Sequence, residues 1–312
     1  MRRQYDVYVV GCGGIGGAVI DMLPQVMACL NVDLSSKETI ERLMSSEGLD
    51  QREYINQFSS LNLIDGDGFN GHNALRQAGV SGKKLVVQMN RIRNMDSFTV
   101  WCNDTRLRGF DTYIKPENMS SIFRPNAYDP IVIFLCVDNH KTRYEVTRWL
   151  EESPCENFLL INGGNNKITG NVTVYERCCS VVLDPPLYKL YPDVNENADR
   201  RPDEVACGTV SVENDQTVII NHMIASVMLN YFRQYITYRV KAFWSHYKHD
   251  GAFNQKTRQK GADGNPVELR MNEVIIDLEN NKMMPLSHRA DTDNRRAPVA
   301  DVTNLPENAD LN

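Results

Sequence analysis

Residues 6–10, DVYVV, are a short apolar, β-branched run that leads without a spacer into Gly11-Cys12-Gly13-Gly14-Ile15-Gly16-Gly17. Downstream, Val19, Met22, Leu23, Val26, Met27 and Leu30 recur at the spacing of one helix face. Pro24 is expected to bend or interrupt that helix. Strand, glycine turn and helix in this order form a phosphate-cradling unit. The glycines let backbone N–H groups approach an anion closely, and the helix start adds favourable partial charge. A turn kept glycine-rich only for packing is the competing explanation, and the strand and helix on either side weigh against it.

The rest of the chain repeats the alternation. Strands are predicted at 61–64 (LNLI), 98–102, 131–137 (IVIFLCV), 158–161 and 171–175, and helices at 37–44, 84–93, 141–150 and 215–240. The 131–137 run is apolar throughout, as for a strand buried on both faces. Residues 274–286, VIIDLENNKMMPL, read as a hairpin turning near Asn280-Asn281. The expected fold is α/β, a Rossmann-like doubly wound, mostly parallel sheet with additional C-terminal strands. We divide the chain into a nucleotide-binding unit at 1–248, a C-terminal extension with the hairpin at 249–286 and a disordered tail at 287–312. The first unit carries a polar insertion at about 33–58 and a Pro-, Asp- and Asn-rich crossing segment at about 177–205.

Composition removes several classes of function. At 42% hydrophobic and 24% charged residues the chain has the apolar content for a sizeable core. A formal net charge of -6 argues against sequence-independent nucleic-acid binding, which needs many phosphate-neutralising cations. There is no run of about 18 consecutive apolar residues and no signal-peptide pattern, so we expect a cytoplasmic protein with no membrane span and reduced thiols. None of the eight cysteines forms a C-x-x-C pair, which speaks against structural zinc.

Two further clusters sit where ligands meet an open sheet, outside the carboxyl ends of strands. The first is Asp65, Asp67, Asn73, Arg76 and Gln77, following LNLI, with Lys83 and Lys84 at a predicted helix start. An acid suits ribose hydroxyls, a guanidinium fork suits phosphate oxygens, and a lysine there adds a point charge. A solvated polar loop explains the same residues equally well. The second cluster is Asp138-Asn139 after IVIFLCV, with Arg143 one turn into the next helix. Asp138 either caps that helix or, with a triphosphate present, holds Mg²⁺. A nicotinamide site would instead want an acid about 20 residues beyond the glycines, and Asp33 has that spacing in a segment too polar for a buried strand. That alternative, an NAD-dependent oxidoreductase, would draw its acid/base from His72, His140 or His222, none singled out by spacing.

Taken in order, these motifs resemble the ThiF/MoeB/HesA family and the adenylation domain of ubiquitin-activating enzymes. The family's G-x-G-G-x-G is Gly11 to Gly16, with Gly11, Gly13, Gly14 and Gly16 as its glycines. Its D-x-D-x5-N-x2-R-Q is Asp65, Asp67, Asn73, Arg76 and Gln77; its "DN" with a following Arg is Asp138, Asn139 and Arg143; and Gly170 to Tyr175 is similar to its G-x-[IV]-x-V-[FY] strand. The resemblance covers about residues 6–240. The hairpin and Ala206-Cys207-Gly208 are similar to the bacterial ThiF-like proteins of the PRTRC gene system.

The resemblance implies ATP and Mg²⁺ as cofactors. It also implies a small ubiquitin-like or sulfur-carrier protein, or a peptide, with a free C-terminus as partner, and a homodimer. Adenylation of that C-terminus would place Asp65 on ribose, Asn73, Arg76 and Lys84 on phosphates and Asp138 on the metal, with Asp67, Gln77 and Asn139 completing the nucleotide site. Cys207 would then accept the acyl group as a thioester, with Cys178-Cys179 as the rival. Two departures stand out: the C-x-x-C pairs of zinc-bearing members are missing, and only Arg2 or Arg3 could supply the N-terminal arginine that many dimeric relatives insert into the partner's site. A non-catalytic partner that binds nucleotide or carrier without activating it is a third reading.

Overall fold

The structure is a computed structural model that describes residues 4–33, 57–69, 82–124, 130–166, 168–178, 180–199, 218–247, 273–280 and 282–286. The helix expected at 37–44, Asn73, Arg76, Gln77, His72, Cys179, Cys207, Arg2, Arg3 and the tail lie outside them.

Among the described residues nine strands form one sheet. They are β1 Tyr5–Val10, β2 Phe58–Ile64, β3 Arg106–Phe110, β4 Ile131–Leu135, β5 Phe158–Asn165, β6 Thr169–Cys178, β7 Val181–Val182, β8 Glu273–Asp277 and β9 Lys282–Leu286. The helices are α1 Gly14–Asp33, α2 Lys84–Arg93, α3 Asp96–Trp101, α4 Pro116–Phe123, α5 His140–Glu152, α6 Leu187–Leu190 and α7 Val218–Tyr247. The sheet order is β3-β2-β1-β4-β5-β6-β8-β9, with β7 paired to β6. The first five strands are parallel. From β6 onward every pairing is antiparallel, and the expected hairpin is β8–β9, which extends the same sheet.

Alternation along each parallel strand builds two cores. In β1, Val7 and Val9 join the core under α1, α2, α3 and α7, while Tyr8 and Val10 join the core under α4 and α5. In β4, Val132 and Phe134 face the first core and Ile131, Ile133 and Leu135 the second. Each fully buried side chain of this size contributes roughly 1.5–3 kcal/mol. Phe232 of α7 packs between Phe58 of β2, in a tilted pair, and Phe134 of β4, edge to face, seating the long helix across the sheet. On the other face the Tyr8 hydroxyl donates to the Phe123 carbonyl at 2.8 Å, which satisfies a buried polar group at the end of α4.

Two expectations are corrected. Residues 98–102 are not a strand: Phe98 and Cys102 are buried but Val100 is 53% exposed, the i, i+4 pattern of the short helix α3. The strand lies at β3, eight residues further on, half-buried at the sheet edge. Pro24 does not interrupt α1, which is assigned as one helix through it. The proline cannot donate to the Ile20 carbonyl, and full burial of Val19, Ile20, Leu23 and Met27 outweighs that loss. By length and composition residues Gly14–Val32 of α1 could cross a membrane; here two thirds of them are buried.

Candidate functional site

Strand order turns at β1, with β2 and β3 on one side of it and β4 and β5 on the other. Such a switch point opens a crevice outside the carboxyl ends of the strands. The crevice is open to solvent, with about 890 Å³ of empty space counted out through its mouth. Its walls come from the glycine loop, from Asp65, Asp67 and Lys84, from the loop after β3, and from Asp138 and Asn139 after β4.

The glycines have separate reasons to be glycine. Gly11 has φ +86°, and a Cβ on it would lie 2.8 Å from the Cys136 carbonyl oxygen. Its N–H donates to the Ile64 carbonyl at 2.9 Å, so the turn is fastened to the end of β2. On Gly16 a Cβ would fall 1.7 Å from the Gly11 oxygen, and on Gly14 2.5 Å from the Asn221 amide nitrogen. Gly13 differs: a Cβ there would meet nothing within 4 Å, and it lines the crevice. The space beside its backbone is open to a ligand, at the start of a 20-residue helix.

Asp65 closes the loop from the other side. Its Oδ2 accepts from the Cys12 N–H at 2.6 Å and its Oδ1 from the Asp67 N–H at 2.7 Å. One lone pair on each oxygen remains for a further donor. Burial pushes this carboxyl above the ordinary carboxylate value, with the nearby Lys84 ammonium and the two N–H groups pulling the other way. Lys84 is the first residue of α2, and its Nζ donates to Asp67 Oδ2 at 3.1 Å. Asp67 also accepts from the Tyr113 hydroxyl. Among the described residues lining the crevice, Lys84 is the one cation.

The turn after Asp67 is pinned to the start of α2. Phe69 N–H donates to the Gly82 carbonyl at 2.7 Å and Lys84 N–H to the Asp67 carbonyl at 3.2 Å. The chain thus leaves and re-enters the described structure at one place on the crevice rim, and Asn73, Arg76 and Gln77 belong to the stretch between.

On the β4 side Asp138 is exposed at the strand end. Asn139 is the N-cap of α5, its Oδ1 accepting from Thr142 N–H at 2.8 Å, so the capping role falls to the asparagine and leaves the aspartate carboxylate to the crevice. Arg143 is buried and does anchor the segment: its Nη2 donates to the carbonyls of Val137 at 2.8 Å and Gly163 at 3.2 Å, tying the ends of β4 and β5 together. His140 opens α5, where its N–H takes the Asp199 carboxylate at 2.7 Å. At the other flank Asn165, in the crevice wall, donates to Asn221 of α7 at 2.8 Å. Asp199 and Asn221 thus each bond a residue in the crevice wall or next to it in sequence.

Other candidates fall elsewhere. Asp33 is the last residue of α1, about 30 Å along the helix from the glycine loop, and the strand-end acid is Asp65. Cys178 is buried in β6 beside Arg177, which pairs with the first residue of β5. The crevice lies at the other end of β5, roughly 23 Å away at strand rise, so Cys178 does not take part there. Cys12 is enclosed, and burial pushes its thiol well above its ordinary value. Sequence reasoning missed Tyr113 and Asn165; placing β3 correctly would have put the residues after it on the rim.

Known structures share this fold. PaaA superposes with a TM-score of 0.51 at 12% identity, over 92% of this chain and 73% of PaaA. E. coli MccB solved with AMPCPP and MccA gives 0.51 at 12% identity, over 94% of this chain and 65% of MccB. E. coli MccB solved with ATP gives 0.50 at 12% identity, over 96% and 67%. This chain spans about two thirds of the length of MccB. No protein-family model matches the chain, and no curated protein matches it in sequence.

Proposed function

We propose that this protein adenylates the C-terminal carboxylate of a small ubiquitin-like or sulfur-carrier protein, or of a peptide, at the expense of ATP. The observation that carries this reading is convergence. The open backbone of Gly13, the carboxylate of Asp65, the ammonium of Lys84 and the exposed carboxylate of Asp138 come from separate segments and line one crevice. The motif resemblance to the ThiF/MoeB/HesA family, and a fold shared with MccB, which has been solved with ATP, support the same reading.

The residues fit a nucleoside triphosphate. The N–H groups at the start of α1 would receive phosphate oxygens, with Gly13 leaving room for their approach. Asp65 would take ribose hydroxyls on its two remaining lone pairs. Lys84, and Arg76 from the neighbouring stretch, would neutralise phosphate charge. Asp138 would hold Mg²⁺, which takes one or two carboxylates beside phosphate oxygens and would supply charge stabilisation there. The carrier's carboxylate is already ionised at neutral pH, so no base has to create the nucleophile. One of its oxygens bonds to the α-phosphorus, the bond from that phosphorus to the β-bridging oxygen breaks, and pyrophosphate leaves an acyl-adenylate. Electrostatic positioning carries most of such a reaction.

A thioester step on Cys207 extends the reading: its thiolate would attack the acyl carbon of the adenylate, the bond to the phosphate oxygen would break and AMP would leave. Asp199 on the α5 side and Asn221 on the glycine-loop side flank the stretch that holds it.

ATP–pyrophosphate exchange in the presence of the carrier tests the proposal. Arg76→Ala and Asp138→Ala should each lower exchange by about 100-fold or more. Wild-type exchange in both would overturn the site assignment. Calorimetry with NAD in place of ATP separates the oxidoreductase reading, which requires NAD to bind and ATP not to.

A further inference from the structure

Three elements meet on one carboxylate. Asp67, in the turn after β2, accepts the Tyr113 phenol on Oδ1 and the Lys84 ammonium on Oδ2 at 3.1 Å. Tyr113 belongs to the loop after β3, and its ring lies against the Gly66 backbone so closely that a Cβ on Gly66 would come within 2.8 Å of it. The ring is thereby fixed between the peptide and the crevice wall it helps to line. The Lys84 side chain is only 10% exposed, against 36% for Asp67. A lysine so enclosed has few places to put its charge: Asp67 is the carboxylate it bonds, and Asp65 is close enough to interact with it.

A carboxylate that spends both oxygens on a single ammonium holds it tightly and in a variable direction. A phenol on one oxygen draws off part of the carboxylate's charge and leaves the other oxygen as the lysine's fixed partner. We infer that Tyr113 is a positioning residue: through Asp67 it aims Lys84 at the phosphates of the nucleoside triphosphate and moderates the carboxylate's hold on it. This inference rests on the adenylation reading, since it names the nucleotide of that same crevice.

The experiment is calorimetric binding of ATP and of adenosine to the full chain, comparing wild type with Tyr113→Phe, alone and in Asp67→Asn and Lys84→Met backgrounds. The phenylalanine keeps the ring against Gly66, and adenosine binding reports that the pocket is intact. Tyr113→Phe should weaken ATP about 10-fold and leave adenosine within about 2-fold. In either background the same change should cost nothing further. Unchanged ATP affinity, an equal loss for adenosine, or an undiminished loss in the Asp67→Asn background would each overturn the inference while leaving the adenylation reading in place. A wild-type protein that binds neither ligand would overturn that reading and the inference with it.

Discussion

The carbonyl oxygen of Gly11 occupies the space a side chain on Gly16 would need, 1.7 Å from where its Cβ would stand. A Cβ on Gly13, between them, would meet nothing within 4 Å. The motif therefore mixes two kinds of glycine, and alanine substitutions should separate them. Gly16→Ala forces backbone against backbone and should cost more than about 4 kcal/mol, enough to prevent folding. Gly13→Ala should change stability by less than about 1 kcal/mol yet weaken ATP binding by about 10-fold or more, because its new methyl group enters the space offered to phosphate. Denaturant titration and calorimetry on the pair read this directly. Equal destabilisation by both would show that the loop is glycine-rich for packing alone.

Asp65 gives a pH dependence with a definite sign. Burial raises its folded-state proton affinity above that of the unfolded chain. Below about pH 4 both states hold the proton; above it the unfolded state releases it first, so the folded state binds more protons and stability falls as pH rises through the raised value. An Asp65→Asn variant lacks this group. The stability advantage of wild type over the variant should be fully present below about pH 4 and shrink as pH rises through the raised folded-state value, in denaturant titrations at each pH. An advantage that grew with pH would mean that the two N–H donors and Lys84 outweigh burial.

Arg143 holds the β4 end, and with it Asp138, in register with β5. Its guanidinium serves the Val137 and Gly163 carbonyls from one nitrogen, and a Cβ on Gly164 would lie 2.9 Å from Nη1. Arg143→Lys offers a compact charge at the wrong reach and leaves buried carbonyls unpaired. It should destabilise the fold by about 2–4 kcal/mol in chemical denaturation. A neutral substitution would show that the strand ends are held by the sheet alone.

How far the sequence carried the fold depended on burial. The strands β1 and β4 are buried on both faces, so their apolar runs stood out, and the glycine loop between strand and helix located the crevice. The strand β3 failed the same test because an edge strand reading RLRGF is half-exposed and shows no apolar alternation. In its place the F-x-V-x-C spacing of 98–102 suggested a strand, though five residues are too few to tell a period of 2 from 3.6. Asp96 in the first turn of α3 was the available helix signal. The misplaced strand hid Tyr113, which reaches the crevice only because β3 ends beside β2. Asp65, Lys84 and Asp138 were legible because each sits at a strand end or helix start, where local pattern and site coincide.

The cysteines make the last prediction. Among the described residues Cys29 is exposed, while Cys12, Cys102, Cys136, Cys155 and Cys178 are buried. Burial also pushes the Cys102 thiol up to about 12 and raises Cys12, Cys136 and Cys155, so little thiolate forms on any of them near neutral pH. A Cys29→Ser variant of the native protein should therefore leave any rapid reaction with a thiol reagent to Cys179 or Cys207. Peptide mapping after brief labelling identifies which. Under the thioester reading the fast thiol is Cys207, and prior incubation with ATP and the carrier should protect it in a way that a thiol reductant reverses. Fast labelling of Cys12 or Cys136 would instead mean that the crevice floor opens on the timescale of the reagent, and the closed loop between Gly11 and Asp65 would no longer describe the protein in solution.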